Sequence, residues 1–473
     1  MTKQDVKKNL NTKYQMLTVL TFATFSTWLL GFLFNSHLFV TLFDQRFDMY
    51  HLTLIMIFIH GVGFLFWINI IKTVKKAALF YPLSIFIVLT LGLQYFTQFD
   101  HFWLVSYVSS VFLMSGTMVS SAYYFKAVSK KFERFKIAAW LLIVSYVLLF
   151  LFDLANGLLG AKHALLIAYV FLAISLVGAY MLKSLTIDEI KVTSLRIKSH
   201  SHTRKDLIIL SILIFIITIN GGLLTQYIFP SYQTLGDIVS YYWLWPYIIG
   251  VLGSVWLYLK YHRGNLIVLA IALMGLSFVF YMIAPHRLSS YFVVVTMLMI
   301  PLGALDLFWW GTLGEMFEDT IFPGVIFGIG MFANIMGVFF GGLLSGVIQS
   351  VQNSTMILVA IALTSVLVVS GILPLANQML SSKNRLQNPL SERSKTNDSL
   401  FSNPVITETL SVLTDRELAI TLLLLQGKSY KKIADELFIS VNTVKFYIKS
   451  IYGKLNIRSR FELVEQFEEF LIR

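Results

Sequence analysis

Ser440 to Leu455 reads SVNTVKFYIKSIYGKL. Ser440 is a natural N-cap, and the apolar residues Val441, Val444, Ile448, Ile451 and Leu455 return at three- and four-residue steps, so one stripe of a helix is expected to face a core. The opposite stripe carries Thr443, Lys445, Phe446 and Lys449. Lysines for phosphates and guanine edges, with a hydroxyl and apolar atoms for thymine methyls, are what a helix in a DNA major groove needs.

The residues before this helix extend the pattern. Leu413-Thr414-Asp415-Arg416-Glu417 has a threonine placed to cap and a glutamate three residues on to reach back, which predicts a capping box and a helix through about Leu425, ended by Gly427. Ser429 is placed to cap a second short helix, Tyr430 to Leu437, and Phe438-Ile439 makes a brief corner before the third. This is the spacing of a helix-turn-helix. A fourth amphipathic helix is expected after Arg460.

These residues resemble the LuxR-type helix-turn-helix of bacterial transcription regulators, from Leu413 to about Phe467. The matching pieces are Leu413, Thr414, Arg416 and Glu417; Gly427 and Ser429; Ile433-Ala434 and Leu437; Ser440; Thr443-Val444-Lys445; Lys454-Leu455; and Arg460. The resemblance implies that Lys445, Phe446 and Lys449 face the bases of double-stranded DNA. It also implies a homodimer through the last helix, with Leu463, Phe467 and Leu471 as contacts. Lys432 stands where the family usually has glutamate, and Phe446-Tyr447 replaces a small residue and histidine, so the operator is not transferable. Lys431, Lys432 and Lys454 add to the cationic surface around the second and third helices, whereas Glu462, Glu465, Glu468 and Glu469 make the fourth acidic.

Farther from this module the chain changes character. Of 473 residues, 57% are hydrophobic and 13% charged, the composition of a membrane protein. There is no cysteine, which excludes disulfides, thiolate metal sites and cysteine nucleophiles. No phosphate-binding loop, HExxH or paired-carboxylate pattern is present, so no enzyme, metal or cofactor is expected.

Apolar runs of spanning length occupy Tyr14–Phe34, Leu52–Ile71, Ala77–Phe96, Phe102–Tyr124, Ile137–Leu158 and Ala164–Leu182, and then Leu207–Tyr227, Trp243–Leu259, Leu266–Ile283, Tyr291–Trp310, Val325–Val347 and Met356–Ala376. The expected organisation is a cytoplasmic N-terminus at 1–13, six spans in 14–182, a cytoplasmic central loop at 183–206, and six more spans in 207–380. A flexible linker at 381–408 then leads to the DNA-binding domain at 409–473. With the N-terminus inside, connections on the cytoplasmic side hold twenty Lys and Arg against three outside, Arg46, Lys162 and Arg287. Both termini are thus expected in the cytoplasm of a bacterium, where DNA is.

Two sets of six spans about a central connection resemble the major facilitator layout, in which a site lies at the midplane between two halves. The loop signature of that family is missing here, since Ile71-Lys72-Thr73-Val74-Lys75-Lys76 keeps only its charge. Polar residues inside spans are costly in lipid and are either ligand-facing or bonded to a neighbouring helix. His60, Asn220, Asp306 and Asn334 are candidates for a small-molecule site, Asp306 foremost because Trp309-Trp310 follow it, a carboxylate beside two indoles that suits a cationic or aromatic ligand. The connection after the tenth span carries Glu315, Glu318 and Asp319, expected to pair with Lys260 or Arg263 or, alternatively, to dock the basic face of Lys431, Lys432, Lys445 and Lys449. The fold expected is therefore all-α: a twelve-helix transmembrane bundle followed by a four-helix LuxR-type domain. The function expected is a membrane-bound regulator that senses a small molecule, or alternatively a secondary transporter with an attached regulatory domain.

Overall fold

The computed structural model describes residues 3–33, 48–93, 102–129, 133–194, 202–236, 238–258, 263–317, 320, 322–373, 412–425, 429–437, 439–457, 459 and 462–463. Every regular element among them is helical, and the chain divides into two units, Met1–Asn377 and Gln378–Arg473. The expected linker at 381–408 lies outside the described residues.

The first unit is built from α1 (Lys3–Leu33), α2 (Met49–Ile70), α3 (Val74–Gly92), α4 (Trp103–Val128), α5 (Arg134–Leu159) and α6 (Ala161–Ser194), followed by α7 (His202–Leu223), α8 (Leu244–Tyr258), α9 (Arg263–Ile283), α10 (Leu288–Met316), α11 (Pro323–Gln349) and α12 (Ser354–Leu373). Among the described residues, eleven helical stretches after α1 are long and apolar enough to cross a membrane. Local chemistry sets several boundaries. Asp48 caps α2 by accepting from the backbone N–H of Tyr50 and His51, and Thr73 caps α3 by accepting from that of Lys76. Gly160, at φ +83°, makes the turn between α5 and α6, a conformation that a side chain would strain. Large apolar side chains such as Leu79, Phe86, Trp256, Leu269 and Leu367 remain exposed, as lipid contact requires.

Two elements run differently from the sequence expectation. Helix α6 continues to Ser194 and α7 begins at His202, so most of the expected central loop at 183–206 is helical. Helix α7 also passes into a π-helical turn, Leu224–Ile228, before a last helical turn at Phe229–Tyr232. Pro230 explains part of this, because it has no N–H to give the carbonyl of Gln226 four residues back. That carbonyl instead accepts from the side-chain amide of Gln349 at 2.9 Å, a bond from α11.

The packing repeats at a shift of six helices. The pairs α3 with α4, α2 with α4 and α1 with α5 in the first half recur as α9 with α10, α8 with α10 and α7 with α11 in the second. The contacts between halves exchange under the same shift: α2 with α11 matches α8 with α5, and α4 with α11 matches α10 with α5. This is a pseudo-twofold bundle. Glycines permit its tightest crossings. A Cβ on Gly341 of α11 would stand 2.0 Å from the carbonyl oxygen of Ile219 in α7, and one on Gly250 of α8 would stand 2.1 Å from that of Ile300 in α10.

At one end the halves are tied by cations to backbone carbonyls. Lys126, at the end of α4, donates to the carbonyl of Thr320 at 2.6 Å, and the buried guanidinium of Arg134 donates to that of Gly314 at 2.8 Å and lies over the Phe317 ring. The acidic connection after α10 is therefore met by α4 and α5. Of its expected partners, Lys260 and the side chain of Arg263 lie outside what the structure describes, as do Glu318 and Asp319.

The second unit contains α13 (Asp415–Leu425), α14 (Tyr430–Leu437) and α15 (Val441–Lys454). Leu413, Ile420, Leu424, Ile433, Val444, Ile448, Ile451 and Leu455 form its core. Val441 departs from the expected stripe and is exposed in the first turn of α15. Ser459 opens one further turn by accepting from the backbone N–H of Glu462. Leu463, expected at a dimer contact, is fully buried in this core instead, while Phe467 and Leu471 lie outside the described residues.

Candidate functional site

Between the halves of the first unit lies a cavity of about 240 Å³. Both halves contribute walls: Ser26 from α1, His60 from α2, Met118 from α4 and Tyr146 from α5, then Thr225 after α7, Tyr247 from α8, Asp306 from α10 and Asn334 from α11. Asp306 is partly open to solvent and takes two hydrogen bonds. The Tyr247 hydroxyl donates to Oδ2 at 2.9 Å, and the Trp309 indole donates to Oδ1 at 3.0 Å. The close crossing of α8 and α10 makes the first bond reachable, because Gly303 lies against the backbone of Tyr247. Tyr146 of the other half stacks on Tyr247 with ring centroids 3.8 Å apart, so the tyrosine that holds the carboxylate is itself packed across the cleft.

Of the five residues expected to face a ligand, Asp306, Trp309, Asn334 and His60 line this cavity. Asn334 makes no side-chain hydrogen bond among the described residues. The Nδ1 of His60 bonds the carbonyl of Val111 at 3.0 Å, and its Nε2 is buried without a protein partner. Asn220 is not part of the wall. It is buried, and its amide exchanges hydrogen bonds with Ser365 of α12 at 2.7 and 3.0 Å, which makes it a tie between two helices. Tyr146, Tyr247 and Trp243 also line the cavity and were not marked by the sequence; aromatic residues are too common in this chain for any one to stand out.

In the second unit Lys445, Phe446 and Lys449 project from α15 into solvent, with Thr443 partly exposed beside them and Lys432 exposed on α14. The side chain of Lys431 lies outside the described residues. Ser440 caps α15 by accepting from the Thr443 N–H at 3.0 Å, and Ser429 accepts weakly from Lys432 at 3.4 Å. The capping box at Thr414 and Glu417 is present in both directions.

Glu417 does more than cap. It is buried, and it accepts from the Lys454 ammonium at 2.6 Å and the Ser450 hydroxyl at 2.7 Å, clamping α13 to the end of α15. Lys454 thus has an internal partner that the sequence reading did not give it. Those two bonds, Lys454 first, hold the Glu417 carboxyl down to about 2 despite its burial.

Residues 411–467 match the family model described as bacterial regulatory proteins, luxR family. The C-terminal module is a LuxR-type helix-turn-helix domain. Over 57 residues it is 44% identical to the Fimbriae Z protein of Escherichia coli, covering 12% of this chain and 27% of that one. Over 50 residues it is 54% identical to the nitrate/nitrite response regulator protein NarP of Escherichia coli, covering 11% and 23%. It is also 48% identical over 48 residues to the transcriptional regulatory protein LiaR of Bacillus subtilis, covering 10% and 23%. The chain spans about a quarter of the length of these curated relatives, and the likeness is that of the LuxR-type module alone. The first unit has the major facilitator fold. It superposes on a bacterial homologue of the iron transporter ferroportin with a TM-score of 0.57 at 13% identity, covering 78% of this chain and 99% of that one. The proton:xylose symporter XylE gives 0.55 at 13% identity, covering 78% and 96%. The chain therefore joins a LuxR-type DNA-binding module to a multi-span membrane domain of transporter fold.

Proposed function

We propose that this chain is a one-component, membrane-bound transcription regulator, in which the cavity between the two membrane halves takes a small molecule and thereby controls sequence-specific DNA binding by the LuxR-type module. The observation that carries the reading is the cavity itself: a partly open carboxylate, Asp306, sits between halves in a chain whose other end is a DNA-binding fold. A ligand that touches both halves has different affinities for their different arrangements, and only such a difference can shift an equilibrium. The positive-inside asymmetry supports a cytoplasmic position for both termini and the module. On DNA the module contacts bases through Lys445, Phe446 and Lys449 and works as a homodimer through its C-terminal helix.

The test is a reporter strain carrying an operator selected in vitro with residues 378–473, exposed to a panel of small molecules. The full chain should respond to at least one compound, while Asp306→Asn and Trp309→Ala lose that response at unchanged membrane abundance. Equal loss of abundance and response would reduce both residues to packing. A second reading, a secondary transporter with an attached regulatory module, draws on the same cavity and on the transporter fold of the membrane unit. Saturable uptake of the responding compound into proteoliposomes separates it from pure sensing.

A further inference from the structure

The chemistry of the cavity wall is one-sided. Among the described residues Asp306 is the one carboxylate lining it, and neither Lys nor Arg lines it. Its two oxygens take one bond each from neutral donors, Tyr247 and Trp309, whereas an ionised carboxylate has room for about four. His60, on the other half, is fully buried and keeps its second ring nitrogen away from solvent. The Val111 carbonyl can only accept, so Nδ1 carries the proton of the neutral ring, and the unpartnered Nε2 carries the lone pair.

Three of the wall's hydroxyl donors, by contrast, are already committed to their own helices. Ser145 donates to the carbonyl of Leu141 at 2.7 Å, Thr218 to that of Ile214 at 2.9 Å and Thr225 to that of Gly221 at 3.0 Å. An anion entering this space would meet a carboxylate and, among the described residues, no cationic side chain, only neutral donors such as those of Ser26, Gln233 and Asn334. A cation would meet acceptors and aromatic faces, which attract positive charge.

Resting on the reading of this cavity as the sensing site, we propose that it takes a small amphipathic organic cation, an ammonium carried on an aromatic or branched aliphatic body. The ammonium donates to the free lone pairs of Asp306, and the body lies against Tyr146, Trp243 and Trp310. A volume of about 240 Å³ is slightly below the roughly 300–1,000 Å³ usual for drug-sized ligands, so the body is of arylalkylamine size.

The experiment uses the full chain in detergent micelles at neutral pH and three near-isosteric probes: phenethylamine, phenethyl alcohol and 3-phenylpropanoate. Binding is read as saturable change of tryptophan fluorescence, since Trp243, Trp309 and Trp310 line the cavity. Phenethylamine should bind at least about tenfold more tightly than either partner, the margin expected of a hydrogen bond to a charged group. Asp306→Asn should remove that margin. If Asp306→Asn is not monodisperse, the three-probe comparison on the unaltered chain decides alone. The proposal is overturned if the alcohol or the carboxylate binds as tightly as the amine, if no probe binds, or if a monodisperse Asp306→Asn keeps the amine's advantage. The assay contains no DNA, so these outcomes bear on ligand class, whereas the reporter panel, which assumes no class, bears on sensing.

Discussion

Glu417 and Asp306 are both carboxylates held inside helical packing, and their surroundings divide them. Glu417 accepts from Lys454, Ser450 and both the backbone and the hydroxyl of Thr414, so its charge is neutralised and its lone pairs are occupied. Asp306 accepts from two neutral donors and faces a cavity. A buried charge with every partner inside the fold holds the fold together. One with spare capacity beside open space is placed to meet something that arrives, since leaving such capacity unmet is costly.

That contrast can be broken most directly by truncation. In a fragment of residues 378–473, Glu417→Ala leaves the Thr414 N–H and the Ser450 hydroxyl without their acceptor and frees the exposed Lys454 ammonium to solvent, and should cost about 2–3 kcal/mol in urea denaturation. Asp306→Asn in the membrane domain should cost far less, under about 1 kcal/mol, because the carboxamide oxygen can still accept from one of the two donors. Comparable losses of thermal stability at the two sites would erase the distinction.

Acid sharpens the same comparison. Because folding holds the Glu417 carboxyl at about 2 instead of its ordinary 4.5, its contribution is fully present above about pH 4.5 and is lost as pH falls toward 2. The urea midpoint of the fragment should drop across that window, and Glu417→Gln should flatten the drop.

On the exposed face the effects are on binding. Lys445→Ala or Lys449→Ala should each weaken operator binding by about 1–3 kcal/mol in a mobility-shift titration, with helicity by circular dichroism unchanged. Asn220→Ala removes the bonds to Ser365 and should cost about 1 kcal/mol of membrane-domain stability while leaving the ligand response intact. A lost response at normal abundance would place Asn220 back among the ligand contacts.

What could be read without coordinates was what the chain encodes locally. Helices α14 and α15 begin at Ser429 and Ser440 because each serine side chain accepts from an N–H three residues on, and the spacing that shows this is in the sequence. The twelve apolar runs are visible for a similar reason, since a span must satisfy its backbone within itself. Contacts between distant segments were not visible. Nothing near Asp306 points to Tyr247, 59 residues earlier, and nothing near Glu417 points to Lys454, 37 residues later. A helical stripe says which residues share a face and leaves open where that face ends, so Leu463 was placed outside a core that closes over it and Val441 inside one that stops short of it. The π-helical turn after α7 depends on Gln349 of α11 reaching the carbonyl that Pro230 leaves free, a partner supplied by the bundle.

The central claim is that occupancy of the membrane cavity changes DNA binding by the module. Its most direct test is a fluorescence-anisotropy isotherm of the full chain in lipid nanodiscs on the selected operator, with and without the compound that drives the reporter. Operator affinity should change severalfold with the compound for the unaltered chain, and be insensitive to it for Asp306→Asn and for residues 378–473 alone. Affinity independent of the compound in the full chain, at concentrations that saturate the cavity, would contradict the account.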